Sequence, residues 1–151
     1  MTAYWGRMGA GVLFIQKRKV LLTLRSSDVE QPGTWGIPGG AVSLGAHDEV
    51  FLAANDAGYT GLSEDDIFDS VMRESAEELG ALPEDFEVVD HVIYADQKFQ
   101  YHTFFVAVDI KWPITLNWEN DDYGWFNVKK LPRPLHFGVE YLIDQRSEFF
   151  R

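Results

Sequence analysis

Cysteine is absent from the 151 residues, so no disulfide framework, thiolate nucleophile or cysteine-held zinc can operate. Long apolar runs are also missing, and the longest falls well short of the ~20 residues of a membrane-spanning helix. No internal repeat and no linker rich in Pro, Gly or Ser interrupts the chain. Bases are scarce in one stretch above all: residues 41–90 hold 14 of the 24 Asp and Glu but a single cation, Arg73. The net charge of −11 disfavours contact with nucleic-acid phosphates. These absences lead us to expect one soluble, cytoplasmic domain over residues 1–151, with neither nucleic acid nor membrane as partner.

What is present is a globular pattern of alternating elements. Residues 8–16 and 19–25 are apolar runs about a short basic turn and read as a strand hairpin. The Gly- and Pro-rich stretch that follows reads as loop, with a short strand near Ala41–Ser43. Ser63 ahead of Glu64, Asp65 and Asp66 is a capped helix start, and Gly80 is a stop, which places a helix over about 64–79. Residues 87–94, 99–110 and 123–128 read as strands, and 136–150 as a C-terminal helix. This order favours an α+β layered fold over a regular βαβ repeat.

The helix over 64–79 carries the chemistry. Glu74, Glu77 and Glu78 stand at i, i+3 and i+4, so all three project within one arc. Uncompensated, such neighbours cost about 0.2–0.5 kcal/mol per pair. Arg73 can offset part of this through Glu77. A hard divalent cation, which prefers oxygen ligands, would offset the rest. A solvated acidic face is the alternative for these glutamates taken alone. Upstream, Gly33–Gly40 (GTWGIPGG) is a glycine-rich bend whose backbone can approach an ion or phosphate closely.

The bend followed by R-E-x-x-E-E-x-G resembles the Nudix (MutT-like) hydrolase family, whose box reads G-x5-E-x7-R-E-U-x-E-E-x-G-U with U aliphatic. Arg73, Glu74, Glu77, Glu78 and Gly80 match its second half, and Gly40 its opening glycine. The resemblance implies a Nudix fold, a mixed β-sheet sandwiched between helices. It implies Mg2+- or Mn2+-dependent hydrolysis of the pyrophosphate linkage of a nucleoside diphosphate derivative, such as a dNTP or NTP, an oxidised nucleotide, ADP-ribose or a nucleotide sugar. It implies metal ligation by Glu74, Glu77 and Glu78, joined by the Gly39 carbonyl, with Arg73 orienting a glutamate.

The chain also departs from the box. Gly40 and Arg73 lie 33 positions apart where the box needs 14, leaving nineteen extra residues at about 44–62. The box's first glutamate would fall at Ala46 or Asp65; Asp65, Glu64 or Glu49 can stand in for it. The insertion holds His47 and Asp56, and its DEVFLAAND segment is a candidate short helix, either a tolerated surface excursion or a lid beside the metal. Ser75 and Ala81 replace aliphatic residues of the box.

Members of the family take the water's proton with a box glutamate or with one from a later loop, so Glu119 and Glu74 compete as general base, Glu119 also as a further ligand. For substrate contacts, Arg7 and Arg25 can meet phosphates, and Trp35, Phe99 and Tyr101 can stack on a base; His102 is a further candidate beside Tyr101. Three rival functions remain: a catalytically silent Nudix sensor of a nucleotide or ADP-ribose, an isopentenyl-diphosphate isomerase-like enzyme, and an acidic interaction domain. A homodimer is expected by analogy alone.

Overall fold

A computed structural model describes the backbone of residues 5–41, 51–53, 63–96 and 99–151, and the side chains of 8–40, 63–96 and 99–151. Strands β1 (Trp5–Gln16) and β2 (Lys19–Arg25) form the hairpin, turning at Lys17, whose φ is 59°. Then come β3 (Trp35–Gly36), β4 (Gly39–Ala41), β5 (Phe51–Ala53), helix α1 (Glu64–Leu79), β6 (Glu87–Ala95), β7 (Phe99–Ala107), β8 (Asn120–Asn127) and helix α2 (Phe137–Gln145). The sheet is mixed, in the order β3-β2-β1-β7-β6, with β4 and β5 on β1 and β8 on β2. β1 and β7 run parallel, and the other pairings between the described strands are antiparallel.

Alternation along the strands sends apolar side chains to both faces. Met8, Ala10, Val12 and Phe14 of β1, with Phe104 and Val106 of β7, meet Ile67, Val71, Met72 and Leu79 of α1. Leu13 and Ile15 of β1, Leu22 of β2 and Phe105 of β7 meet Val139 and Leu142 of α2. Fully burying a side chain of this size contributes about 1.5–3 kcal/mol, so each helix is held by packing rather than by propensity.

Helix α1 begins and ends where its sequence signals stand. The Ser63 hydroxyl accepts the Asp66 N–H, and the Asp66 carboxylate accepts the Ser63 N–H, a reciprocal cap. Gly80 ends it in a left-handed conformation, φ 79°. Other boundaries differ from expectation. β8 starts at Asn120 rather than 123, because residues 120–123 extend the ladder with β2. β7 stops at Ala107, where β1 runs out of partners for it. α2 is shorter than the C-terminal run suggested, with His136 as its cap.

Residues 51–53, expected within a short helix, form a strand, because the first residues of β1 offer an unpaired ladder that Phe51–Ala53 completes. The strand near Ala41–Ser43 is β4, ending at Ala41, with 42–43 outside the described residues. No helix among the described residues is long and apolar enough to cross a membrane.

Candidate active site

The acidic arc of α1 faces the glycine bend. Glu78 is almost wholly buried, 5% exposed. Its Oε2 accepts the Gly39 N–H at 2.7 Å and its Oε1 accepts the Asn120 Nδ2–H at 3.1 Å. Burial pushes this carboxyl up to about 8, against the pull of those two hydrogen bonds, with Glu119 and Glu74 adding repulsion. Glu74 is half-buried and also raised, first by burial, then by Glu77 and Glu119, while Arg73 opposes the shift. Glu77 is exposed on the same arc.

Glycine is needed at 39 for space as well as conformation. Its φ is 152°, and a Cβ there would run into the Ala10 carbonyl and sit 2.6 Å from Gly11 Cα. Gly40 lies against Glu74: a Cβ on it would stand 3.5 Å from Glu74 Oε2. Glu119 reaches the cluster from the segment before β8, held by its carbonyl accepting the Ser26 N–H and its own N–H donating to Asn117 Oδ1.

On the opposite face of the sheet, the same bend borders a cavity of about 550 Å3 between β1, β6, β7 and α2. Tyr101 forms part of its floor. Its ring occupies the space left by two glycines of β1: a Cβ on Gly9 would lie 2.8 Å from Tyr101 Cδ2, and one on Gly11 would run into the Tyr101 hydroxyl. Burial, then the Glu78 charge, pushes the Tyr101 hydroxyl up, so the cavity floor and the carboxylate cluster lie within electrostatic reach.

His136 also borders the cavity. Its Nδ1 accepts the Gly138 N–H at 3.0 Å, and burial, then Arg25, pushes it down to about 4, leaving a neutral ring with its proton on Nε2.

The structure thus brings Glu74, Glu78, Glu119, Gly39 and Gly40 together, with Glu77 and Arg73 on the rim. Of the substrate candidates, Arg25, Phe99 and Tyr101 border the cavity; Arg25 donates from Nε to the Glu30 carbonyl at 2.6 Å. Trp35 does not border it. Its ring packs edge-on against Phe126 at 5.1 Å, and its backbone clasps Pro134 and His136. The backbone of Arg7 pairs with Phe51 and Phe99, and its side chain is outside the described residues, as are Ala46, His47, Glu49 and Asp56. His102 faces away from the cavity, bonded to His91 Nε2 and Gln100 Oε1, each at 2.8 Å. Glu64 lies 3.3 Å from His91 Nδ1 in the first turn of α1, at the opposite end of the helix from the cluster, and Asp65 is exposed in the same turn.

Asn120, which holds Glu78, was not singled out in the sequence, and neither were the cavity residues Tyr94, Tyr141 and Asp144. The signal for Asn120 was its place beside Glu119 at the head of a strand.

A family model described as NUDIX domain matches residues 6–145. The chain belongs to the NUDIX domain family. Solved structures agree with that fold. A MutT NUDIX hydrolase from Burkholderia pseudomallei is 22% identical, covers 93% of this chain and 97% of its own, and superposes with a TM-score of 0.63. The Nudix hydrolase RenU from M. smegmatis is 20% identical, over 95% of this chain and 83% of its own, with a TM-score of 0.64. An ADP-ribose pyrophosphatase from Streptococcus suis is 21% identical, over 95% and 89%, with a TM-score of 0.61. No curated protein matches the chain.

The family's divalent metal fits the donor set of this NUDIX chain. Glu74, Glu77 and Glu78, with Glu119 beside them, supply hard oxygen donors, and among the causes acting on Glu74 only Arg73 offsets the repulsion of Glu77 and Glu119. Among the described residues no three acids or histidines are already drawn to metal-binding distance; both Glu78 oxygens are instead held by N–H donors.

Proposed function

We propose that this NUDIX chain hydrolyses the pyrophosphate linkage of a nucleoside diphosphate derivative with Mg2+ or Mn2+. One observation carries the reading. Gly39 and Gly40 border the cavity and also touch the carboxylates, Gly39 through its N–H to Glu78 and Gly40 by its approach to Glu74. A diphosphate lying along this bend would have its nucleoside in the cavity and its scissile bond over α1.

Glu74, Glu77 and Glu78, with the Gly39 backbone, would hold the cation, which neutralises phosphate charge and lowers the pKa of a bound water. Asn120 fixes the Glu78 carboxylate, and Arg73 favours the ionised form of Glu74. Glu74 suits the role of general base, because its raised pKa gives it more affinity for a proton than an ordinary carboxylate. Glu119, beside it, is the alternative base or a further ligand. The Tyr101 ring shapes the nucleoside end, and Arg25 stands where it can meet a phosphate oxygen.

The deciding experiment incubates the protein with Mg2+ or Mn2+ and a panel of dNTPs, oxidised nucleotides, ADP-ribose, dinucleoside polyphosphates and nucleotide sugars, reading phosphate or monophosphate release. Cleavage at a pyrophosphate bond, abolished by chelator, is expected. Tight binding with no cleavage of any member would replace the hydrolase by a sensor.

A further inference from the structure

The cavity wall combines aromatic rings with carboxylates. Four rings follow one another around it: Tyr141 meets Tyr94 edge-on at 5.3 Å and 87°, Tyr94 lies 6.4 Å from Phe99, and Phe99 lies 5.9 Å from Tyr101. They come from α2, β6 and β7, so the arc exists only in the folded chain. Beside it, among the described residues, stand three carboxylates, Glu30, Glu140 and Asp144, and one cation, Arg25.

Glu140 and Asp144 sit at i and i+4 on α2, flanking Tyr141, a like-charge spacing that disfavours the helix by itself. Among the described residues neither forms an ion pair. Arg25 already donates from Nε to the Glu30 carbonyl, and His136 is kept neutral by its surroundings.

An aromatic face attracts a cation through its quadrupole, and nearby carboxylates add to that attraction. A neutral ring would stack on the same arc but leave the acidic excess unanswered, and an anionic ring would be repelled.

We infer that the cavity selects a positively charged heteroaromatic ring, an N-alkylated purine or a pyridinium, as the base of its nucleotide ligand. The inference rests on the hydrolase reading only for the place of the diphosphate at Gly39–Gly40.

Matched monophosphates test it, since they contain no pyrophosphate bond and report binding without turnover. Titration calorimetry with the full chain and Mg2+ at mildly acidic pH would compare 7-methylguanosine monophosphate with GMP, and nicotinamide mononucleotide with its reduced form. In each pair the rings differ in charge and little in size. The cationic member should bind about tenfold tighter in at least one pair; the pair that responds tells a purine from a pyridinium. In the double variant Glu140→Gln, Asp144→Asn the preference should fall below about threefold. Both positions are exposed and the replacements nearly isosteric, so the fold is expected to survive, which circular dichroism would verify.

Equal or weaker binding of the cationic member in both pairs, or a preference unchanged in the double variant, overturns the inference. Pyrophosphate cleavage in the separate panel would still stand in that case. A charge preference with no cleavage of any substrate would instead leave the cage standing and remove the hydrolase.

Discussion

Beneath α1, β1 presents Met8, Ala10, Val12 and Phe14, all buried and in contact with the helix. Beneath α2 the same strand presents Gly9 and Gly11, and one tyrosine from the neighbouring strand lies where their side chains would be. One face of a single strand is therefore filled and the other is left partly hollow. The filled face fixes α1, which lets a buried carboxylate be held in a defined place. The hollow face leaves room for a ligand. The glycine bend at 39–40 touches both, and at Gly39 it can do so because that residue carries no side chain.

Each face can be broken separately. The largest effect is expected from Glu78→Gln, which keeps the packing of the filled face and removes its charge. Turnover on any accepted substrate should fall by orders of magnitude, as expected for loss of a ligand to the catalytic cation, while circular dichroism is unchanged. Near wild-type turnover in that variant would remove Glu78 from the proposed metal site.

Next in size, Phe14→Ala on the filled face should destabilise by about 3–5 kcal/mol by cavity formation. On the hollow face, Gly11→Ala runs into the Tyr101 hydroxyl and comes within 2.7 Å of Ile37 Cδ1. Both are ends of side chains, so the cost should be about 1–3 kcal/mol, together with a raised KM from displacement of Tyr101. Denaturant unfolding and steady-state kinetics read the two. A loss of stability at Gly11→Ala with KM unmoved would show that Tyr101 does not shape the ligand site.

The buried ionisable groups also differ in how they respond to pH. Glu78, at about 8 in the folded chain against an ordinary 4.5, keeps its proton where the unfolded chain has released it. In chelator its contribution to stability therefore falls as pH rises from about 4.5 to about 8. His102 and His136, down to about 4 from 6.5, act oppositely: the unfolded chain binds their protons first, so their contribution grows between about pH 4 and 6.5. Between pH 6.5 and 8 the Glu78 slope should be left exposed. Thermal melts should show the metal-free protein losing stability over that window and Glu78→Gln losing much less. Parallel curves would contradict the burial of an ionisable Glu78.

The smallest effect is expected at Ser75, wholly buried in α1, with no hydrogen-bond partner for its Oγ. Ser75→Ala removes an unsatisfied hydroxyl and should stabilise by about 1 kcal/mol, read as a rise of a few degrees in Tm.

Local signals were legible wherever one short segment decides the outcome. Helix α1 falls on 64–79 because its apolar stripe lies within it and its cap, Ser63, and terminal glycine, Gly80, adjoin it. The acidic arc was legible for the same reason, since helical spacing alone puts Glu74, Glu77 and Glu78 together. Trp35 shows the limit. An aromatic beside a glycine bend resembles a stacking platform, yet Phe126, distant in the chain, takes its ring. Strand β5 was missed because its three residues have no pattern of their own and are defined by an open ladder on β1.

The sequence by itself determined which carboxylates share a helix face and which glycines can bend beside them, because both follow from spacing and from the backbone freedom of single residues. Tertiary structure alone decided that Asn120 holds Glu78, that Tyr101 fills the place of two absent side chains, and that rings from β6, β7 and α2 line one cavity. Those facts depend on which strands become neighbours, and strand neighbours are chosen by the burial of whole faces rather than by any local run of residues.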